Sequence, residues 1–218
     1  MYENLWTITG LLILGAYLSI YHYEHNDVIE FLSNKENIVL MGDSIFKNDI
    51  YVERGKSVGD LLQNKHGNVV VVAEDGATIE DLKYQFGKIP NYLDNKNTKL
   101  LISAGGNDIL ERYALSNVNN TNGVYSIFDK YKKYINFLKD NCDCELILCN
   151  IYYPKSKDYK RYYDLIEIWN DKLEGYADKN NFKVLNVDDT INKKSYFTHD
   201  IEPSVLGGKV ITKNILSL

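Results

Sequence analysis

Ser44 stands in Gly42-Asp43-Ser44, directly after the short apolar run Ile38–Met41. A polar break containing Gly at the carboxyl end of a buried strand is where open α/β sheets place ligands and chemistry. Gly76 follows a second apolar run, Asn68–Ala73, and Asn107 follows a third, Lys99–Ser103. A serine hydroxyl, a glycine backbone N–H and an asparagine amide are the parts of an acyl-transfer site. The hydroxyl attacks a carbonyl carbon, and the N–H donors hold the oxyanion that develops. The bland alternative is that Ser44 caps the segment after it. The flanking residues are not Gly-x-Ser-x-Gly, because Phe46 occupies the second Gly position, so a nucleophile elbow is a poor match.

For these three residues to act together, the elements that carry them must share one rim. Ile38–Met41, Asn68–Ala73, Lys99–Ser103, Glu145–Ile151 and Phe182–Val187 read as strands. Val69–Val72 is an unbroken β-branched run of the kind found in buried parallel strands. Ser57–Lys65, the segment opened by Thr78-Ile-Glu-Asp81, Val124–Lys139, Tyr159–Asp178 and Ser204–Leu218 read as helices. Ser57 is a plausible N-cap, and Thr78 with Asp81 resembles a capping box. Five strand–helix alternations predict a three-layer α/β/α sandwich around a five-stranded parallel sheet. In such a sheet every strand delivers its carboxyl end to the same rim, which gathers Ser44, Gly76 and Asn107.

The 218 residues, 44% apolar and 25% charged, suit one domain with an appendage. A net charge of −5 without a basic cluster argues against a nucleic-acid partner. The three cysteines, Cys142, Cys144 and Cys149, have a spacing that fits no usual zinc pattern, and no His lies nearby. They read as buried or edge thiols rather than a disulfide framework, and no metal or cofactor is implied. Residues 1–24 read as a membrane anchor, since Leu5–Tyr21 has no charged residue and carries Trp6, Tyr17 and Tyr21 where interfacial aromatics sit. An uncleaved single-pass anchor fits better than a signal peptide, which wants a basic start and an Ala-x-Ala site. The sequence leaves the side of the membrane open. A buried core helix is the competing reading. Residues 25–36 then form a juxtamembrane segment, and 37–218 the folded domain.

Taken in order, Gly42-Asp-Ser44, Gly76 within Ala73–Thr78, Gly105-Gly-Asn107-Asp108 and Tyr152-Tyr-Pro154 resemble the blocks of the GDSL/SGNH hydrolases. That superfamily holds esterases, lipases and deacetylases. The resemblance runs from about Ile38 to the carboxyl end and implies a flavodoxin-like fold. It also implies Ser44 as nucleophile and oxyanion donor, with the Gly76 N–H and Asn107 Nδ2 as further donors. The last block departs from the family. Where Asp-x-x-His-Pro is usual, this chain has His199-Asp-Ile-Glu202-Pro203. Aligned on the proline, Glu202 stands in the base's place and His199 in that of its orienting carboxylate.

Two arrangements follow. Glu202 could take the Ser44 proton, although a carboxylate near pKa 4.3 is a weaker base than an imidazole near 6.5. Such a base would keep activity into mildly acid solution. Alternatively His199 could reach Ser44 with Asp200 or Glu202 orienting it, since triads depend on geometry and not on chain order. The expected activity is hydrolysis of an ester, an O-acetyl group on a glycan or another short acyl group, by a membrane-anchored enzyme. Phe46, Tyr113 and Tyr153 could line the acyl pocket or belong to the core. A catalytically silent glycan- or ester-binding protein and an acyltransferase using the same Ser44 are the other readings. A phosphate-binding loop is disfavoured because Asp43 would repel phosphate and G-x-x-x-x-G-K is missing.

Overall fold

The computed structural model of the chain describes Tyr21, residues 35–113 and residues 121–218. The chain divides after Glu36, and the fold occupies Asn37–Leu218. Apart from Tyr21, the expected anchor lies outside the described residues, as does the juxtamembrane helix apart from its last two residues. Among the described residues no helix is long and apolar enough to cross a membrane.

Five parallel strands form the sheet: β1 Asn37–Gly42, β2 Val69–Val71, β3 Thr98–Ser103, β4 Glu145–Cys149 and β5 Lys183–Leu185, in the order β2-β1-β3-β4-β5. The helices are α1 Val58–His66, α2 Leu82–Phe86, α3 Gly106–Tyr113, α4 Thr121–Asn141, α5 Tyr163–Asn180 and α6 Val205–Ile215. Alternation along the strands divides the core in two, because successive side chains of a strand point to opposite faces. Val39, Met41, Leu100, Ile102, Leu146 and Leu148 join one cluster with Ile135 of α4 and Trp169 of α5. Ile38, Leu40, Leu101, Ile147 and Cys149 join another with Leu62 of α1 and Ile211 of α6. The expected three-layer sandwich is the structure.

Three details differ from expectation. β2 is an edge strand, with Val71 exposed and Val69 and Val70 only partly covered, so its valine run is not that of a fully buried strand. Cys142 and Cys144 are joined as a disulfide with Cα atoms 5.3 Å apart, whereas Cys149 is a buried free thiol. Finally, Phe197–Thr198 (β6) and Glu202–Pro203 (β7) pair antiparallel into a hairpin that no alternation in the sequence announces. Its turn places His199 at φ 43° and Asp200 at φ 70°, a left-handed conformation that short polar residues tolerate better than most.

Candidate active site

The chain leaves β1 through Gly42, whose φ of 128° excludes most side chains; a Cβ there would lie 1.8 Å from the Ser103 carbonyl oxygen. Only glycine lets β1 end this close to β3. The Gly42 N–H donates to Gln85 Oε1 at 2.7 Å, and Gln85 Nε2 donates to the Gly42 carbonyl at 2.9 Å. Gln85 is fully buried, so this pair of hydrogen bonds from α2 clamps the turn that follows. Asp43 then folds back, accepting from the Ile45 N–H at 3.2 Å and from the Ser103 hydroxyl at 2.7 Å. The result is a fixed turn that presents Ser44, half-buried, at the carboxyl end of β1. It lies at the β1/β3 switch point, where the chain order of the sheet reverses.

Asn107 sits in the first turn of α3, directly after β3. Its Nδ2 donates to the Ala77 carbonyl at 2.8 Å, and Asp108 Oδ2 accepts from the Ile79 N–H at 3.1 Å. These two bonds tie the start of α3 to the loop after β2 that carries Gly76. An amide NH₂ has two donors, so the Ala77 bond orients Asn107 and leaves the second N–H for a ligand. Gly76 itself is exposed at φ 73°, with nothing near a notional Cβ; its glycine is required by conformation, not by crowding.

Ser44 and Asn107 line one cleft, with a cavity volume of about 60 Å³ and walls that include Ile109, Ile151, Pro154, Tyr162 and Ile201. Gly76 is not among the lining residues. The sequence left Phe46 and Tyr153 between cleft wall and core, and neither lines the cleft. Phe46 is buried in the core, and Tyr153 packs edge-on against Tyr163 at 5.1 Å; Tyr152, Tyr159 and Tyr162 line the cleft instead. The side chain of Tyr113 is outside the described residues.

Glu202 comes to Ser44. The Ser44 hydroxyl faces its carboxylate and favours the charged form. The β6–β7 hairpin achieves this because it is pinned from two sides. Asn48, fully buried, donates from Nδ2 to the Pro203 carbonyl at 2.9 Å and accepts from the Val58 N–H at 2.9 Å. The Tyr152 hydroxyl donates to the Ile201 carbonyl. Glu202 is 6% exposed, and its Oε2 is buried without a hydrogen-bond partner. Burial pushes its carboxyl up to about 7; the Ser44 hydroxyl opposes that rise, and the negative charges of Asp75 and Asp43 add to it. Asp43 is also lifted by burial, to about 6, against the Ser103 and Ile45 bonds.

His199 does not share this environment. It sits exposed on the hairpin turn, its Nδ1 3.2 Å from Thr198 Oγ1 and its ring 5.4 Å from that of Tyr51. The Tyr51 hydroxyl donates to the Asp75 carboxylate at 2.9–3.0 Å, which links the hairpin turn to the Gly76 loop. Burial first, then this bond and the Glu202 charge, push Tyr51 up to about 12. Asn48, Gln85, Tyr51 and Tyr152 were not singled out as positioning groups by the sequence. Gln85 leaves a trace as a polar residue on the apolar face of a short helix, and Tyr152 as part of the Tyr152-Tyr-Pro154 block.

A parallel sheet in the order 2-1-3-4-5, with a hydroxyl, a carboxylate and amide donors at its switch point, defines a flavodoxin-like α/β/α sandwich of the SGNH type. The model of the GDSL-like lipase/acylhydrolase family matches residues 38–215, and the chain belongs to that family. Its fold is similar to that of a lipolytic G-D-S-L family protein from Veillonella parvula DSM 2008. That match has a TM-score of 0.67 at 18% identity, over 84% of this chain and 97% of the other. A GDSL-like lipase from Bacteroides thetaiotaomicron VPI-5482 aligns with a TM-score of 0.63 at 17% identity, over 85% and 88%. Axe2, an acetylxylan esterase from Geobacillus stearothermophilus, aligns with a TM-score of 0.61 at 17% identity, over 84% and 93%. No curated protein matches the chain.

Proposed function

We propose that the protein hydrolyses short acyl esters with Ser44 as nucleophile and Glu202 as its base. The observation that carries this reading is the buried Glu202 carboxylate facing the Ser44 hydroxyl, which favours its charged form. When Ser44 Oγ attacks the ester carbonyl, Glu202 takes its proton, and the carbonyl oxygen becomes an oxyanion. The second N–H of Asn107, the Gly76 N–H and the Ser44 N–H hold that charge. The acid form of Glu202 then returns the proton to the departing alcohol, leaving Ser44 acylated, and water repeats the sequence to release the acid. A base near pKa 7 is about half ionised at neutral pH, and its conjugate acid gives up a proton readily.

His199 has no place in this mechanism beyond its contact with Tyr51. The small apolar cleft favours a short acyl group, and a glycan O-acetyl ester fits it. The acetylxylan esterase among the similar folds supports that choice. Leu5–Tyr21, uncharged and flanked by aromatics, would tether the enzyme to a membrane. A fluorophosphonate probe tests the nucleophile. Ser44 should be labelled, and Ser44→Ala should lose both labelling and 4-nitrophenyl acetate hydrolysis. Labelling that persists in Ser44→Ala would remove Ser44 from the role.

A further inference from the structure

At the opposite rim of the sheet, the amino ends of β3 and β4 hold a second cluster of reactive groups. Cys142 follows the last residue of α4, and Cys144 immediately precedes β4. Asp94, from the segment before β3, reaches this turn: its Oδ1 accepts from the Asp143 N–H at 2.8 Å and lies 3.9 Å from Cys144 Sγ. The Leu93 carbonyl oxygen is 3.5 Å from the same sulfur. The two sulfurs and an Asp94 carboxylate oxygen all lie within 4.8 Å of one another. All three residues are at least partly accessible. We propose that this cluster is a binding site for a thiophilic divalent cation of the Zn²⁺ class, closed by the Cys142–Cys144 disulfide and opened by its reduction.

Two thiolates and a carboxylate are a ligand set that such ions accept in tetrahedral geometry, with a fourth position for water or the Leu93 carbonyl. The surroundings favour a cation. Asp143 lies between the cysteines, and the carboxyl end of α4, with its partial negative charge, points at the site. Zinc–sulfur bonds of about 2.3 Å need the two sulfurs roughly 3.8 Å apart, which rotation about the cysteine Cα–Cβ bonds supplies once the S–S bond is gone. The disulfide and the metal therefore exclude each other. Reduction by an external dithiol or phosphine breaks the S–S bond with two electrons and two protons. The incoming M²⁺ then displaces both thiol protons and binds the Asp94 carboxylate. The sequence pattern hides this site because its third ligand lies far away in the chain.

The test uses the full chain in detergent, oxidised or reduced with a phosphine, and titrated with Cd²⁺ and Zn²⁺. The reduced protein should bind one Cd²⁺ with thiolate-to-cadmium ultraviolet absorption, and Zn²⁺ should displace it and raise Tm. The oxidised protein should show neither. Asp94→Asn should weaken binding by roughly ten- to a hundredfold, and Cys142→Ser should abolish the absorption. Ser44 labelling by fluorophosphonate should stay unchanged in both variants. Equal Cd²⁺ absorption in Cys142→Ser, or no absorption in the reduced wild type, would overturn the site. Unchanged affinity in Asp94→Asn would overturn the three-ligand set. If a variant fails to fold, the comparison of oxidised with reduced wild type still decides the question.

Discussion

Two buried carboxylates stand at the same rim of the sheet, and their surroundings differ in kind. Asp43 lies in the turn after β1 and accepts two hydrogen bonds, from the Ser103 hydroxyl and the Ile45 N–H. Its role is to hold backbone in place. Glu202 lies on a two-stranded hairpin, meets the Ser44 hydroxyl and keeps Oε2 buried without a partner. Burial lifts both acids, Asp43 to about 6 and Glu202 to about 7. A carboxylate that accepts from the backbone and from a neighbouring strand is tied into the fold; one buried beside the candidate nucleophile, with an oxygen left unpaired, is available for chemistry. The contrast also corrects the expected pH behaviour. A Glu202 base was expected to work in mildly acid solution, but burial moves it into the range of an imidazole, so activity should fall below about pH 7.

The contrast can be sharpened by substitution. Beyond Ser44 and Glu202 themselves, the largest effect is expected from Asn107→Ala, which should lower kcat by about 10²–10³ if its second N–H holds the oxyanion. The same change also frees the Ala77 carbonyl, so circular dichroism should accompany the kinetics; an unchanged rate would exclude Asn107. Asn48→Ala tests whether the hairpin must be pinned. Leaving the Val58 N–H and the Pro203 carbonyl unpaired should cost about 2–3 kcal/mol in chemical denaturation. Ser44 labelling should slow by about tenfold as Glu202 loses its register.

Asp43→Asn addresses the structural carboxylate directly. Its oxygen can still accept both bonds, so labelling should stay within about tenfold of wild type. Stability should change with pH in a defined direction. A folded-state pKa raised from 3.8 to about 6 means that stability is fully present below the lower value and is lost as pH rises through the higher one. Asp43→Asn should therefore be the more stable protein at pH 8, and the advantage should vanish near pH 4 in thermal melts. The smallest effect belongs to His199→Ala, within about threefold in labelling rate, a fraction of a kcal/mol. A large loss there would restore His199 as the base.

The sandwich was legible because strands β1, β3 and β4 are apolar runs ended by Gly or polar residues, and because α4 and α5 repeat their apolar faces. β2 misled because a valine run looks the same on an edge as in the centre. Ser44 and Asn107 were legible through their position after strands, which parallel topology converts into proximity; Gly76, on the loop after β2, does not line the cleft they share. The hairpin carrying Glu202 was not. Its strands are two residues long, and its turn relies on left-handed His199 and Asp200, for which the chain offers no glycine signal. What holds it, Asn48 and Tyr152, comes from 155 and 49 positions away in the chain. No local pattern reports contacts of that range.

The central claim is that Glu202 activates Ser44, and it is tested most directly by the rate of fluorophosphonate labelling between about pH 5 and 9 in wild type and Glu202→Gln. The wild-type rate should rise with pH and level off above about 7, following the Glu202 carboxyl. Glu202→Gln should label near background at every pH, because an amide cannot take the proton. It should nonetheless be the more stable protein at pH 8 by about 1–2 kcal/mol, since burial disfavours the charge it removes. Labelling of a folded Glu202→Gln at the wild-type rate, with the same pH dependence, would contradict the account.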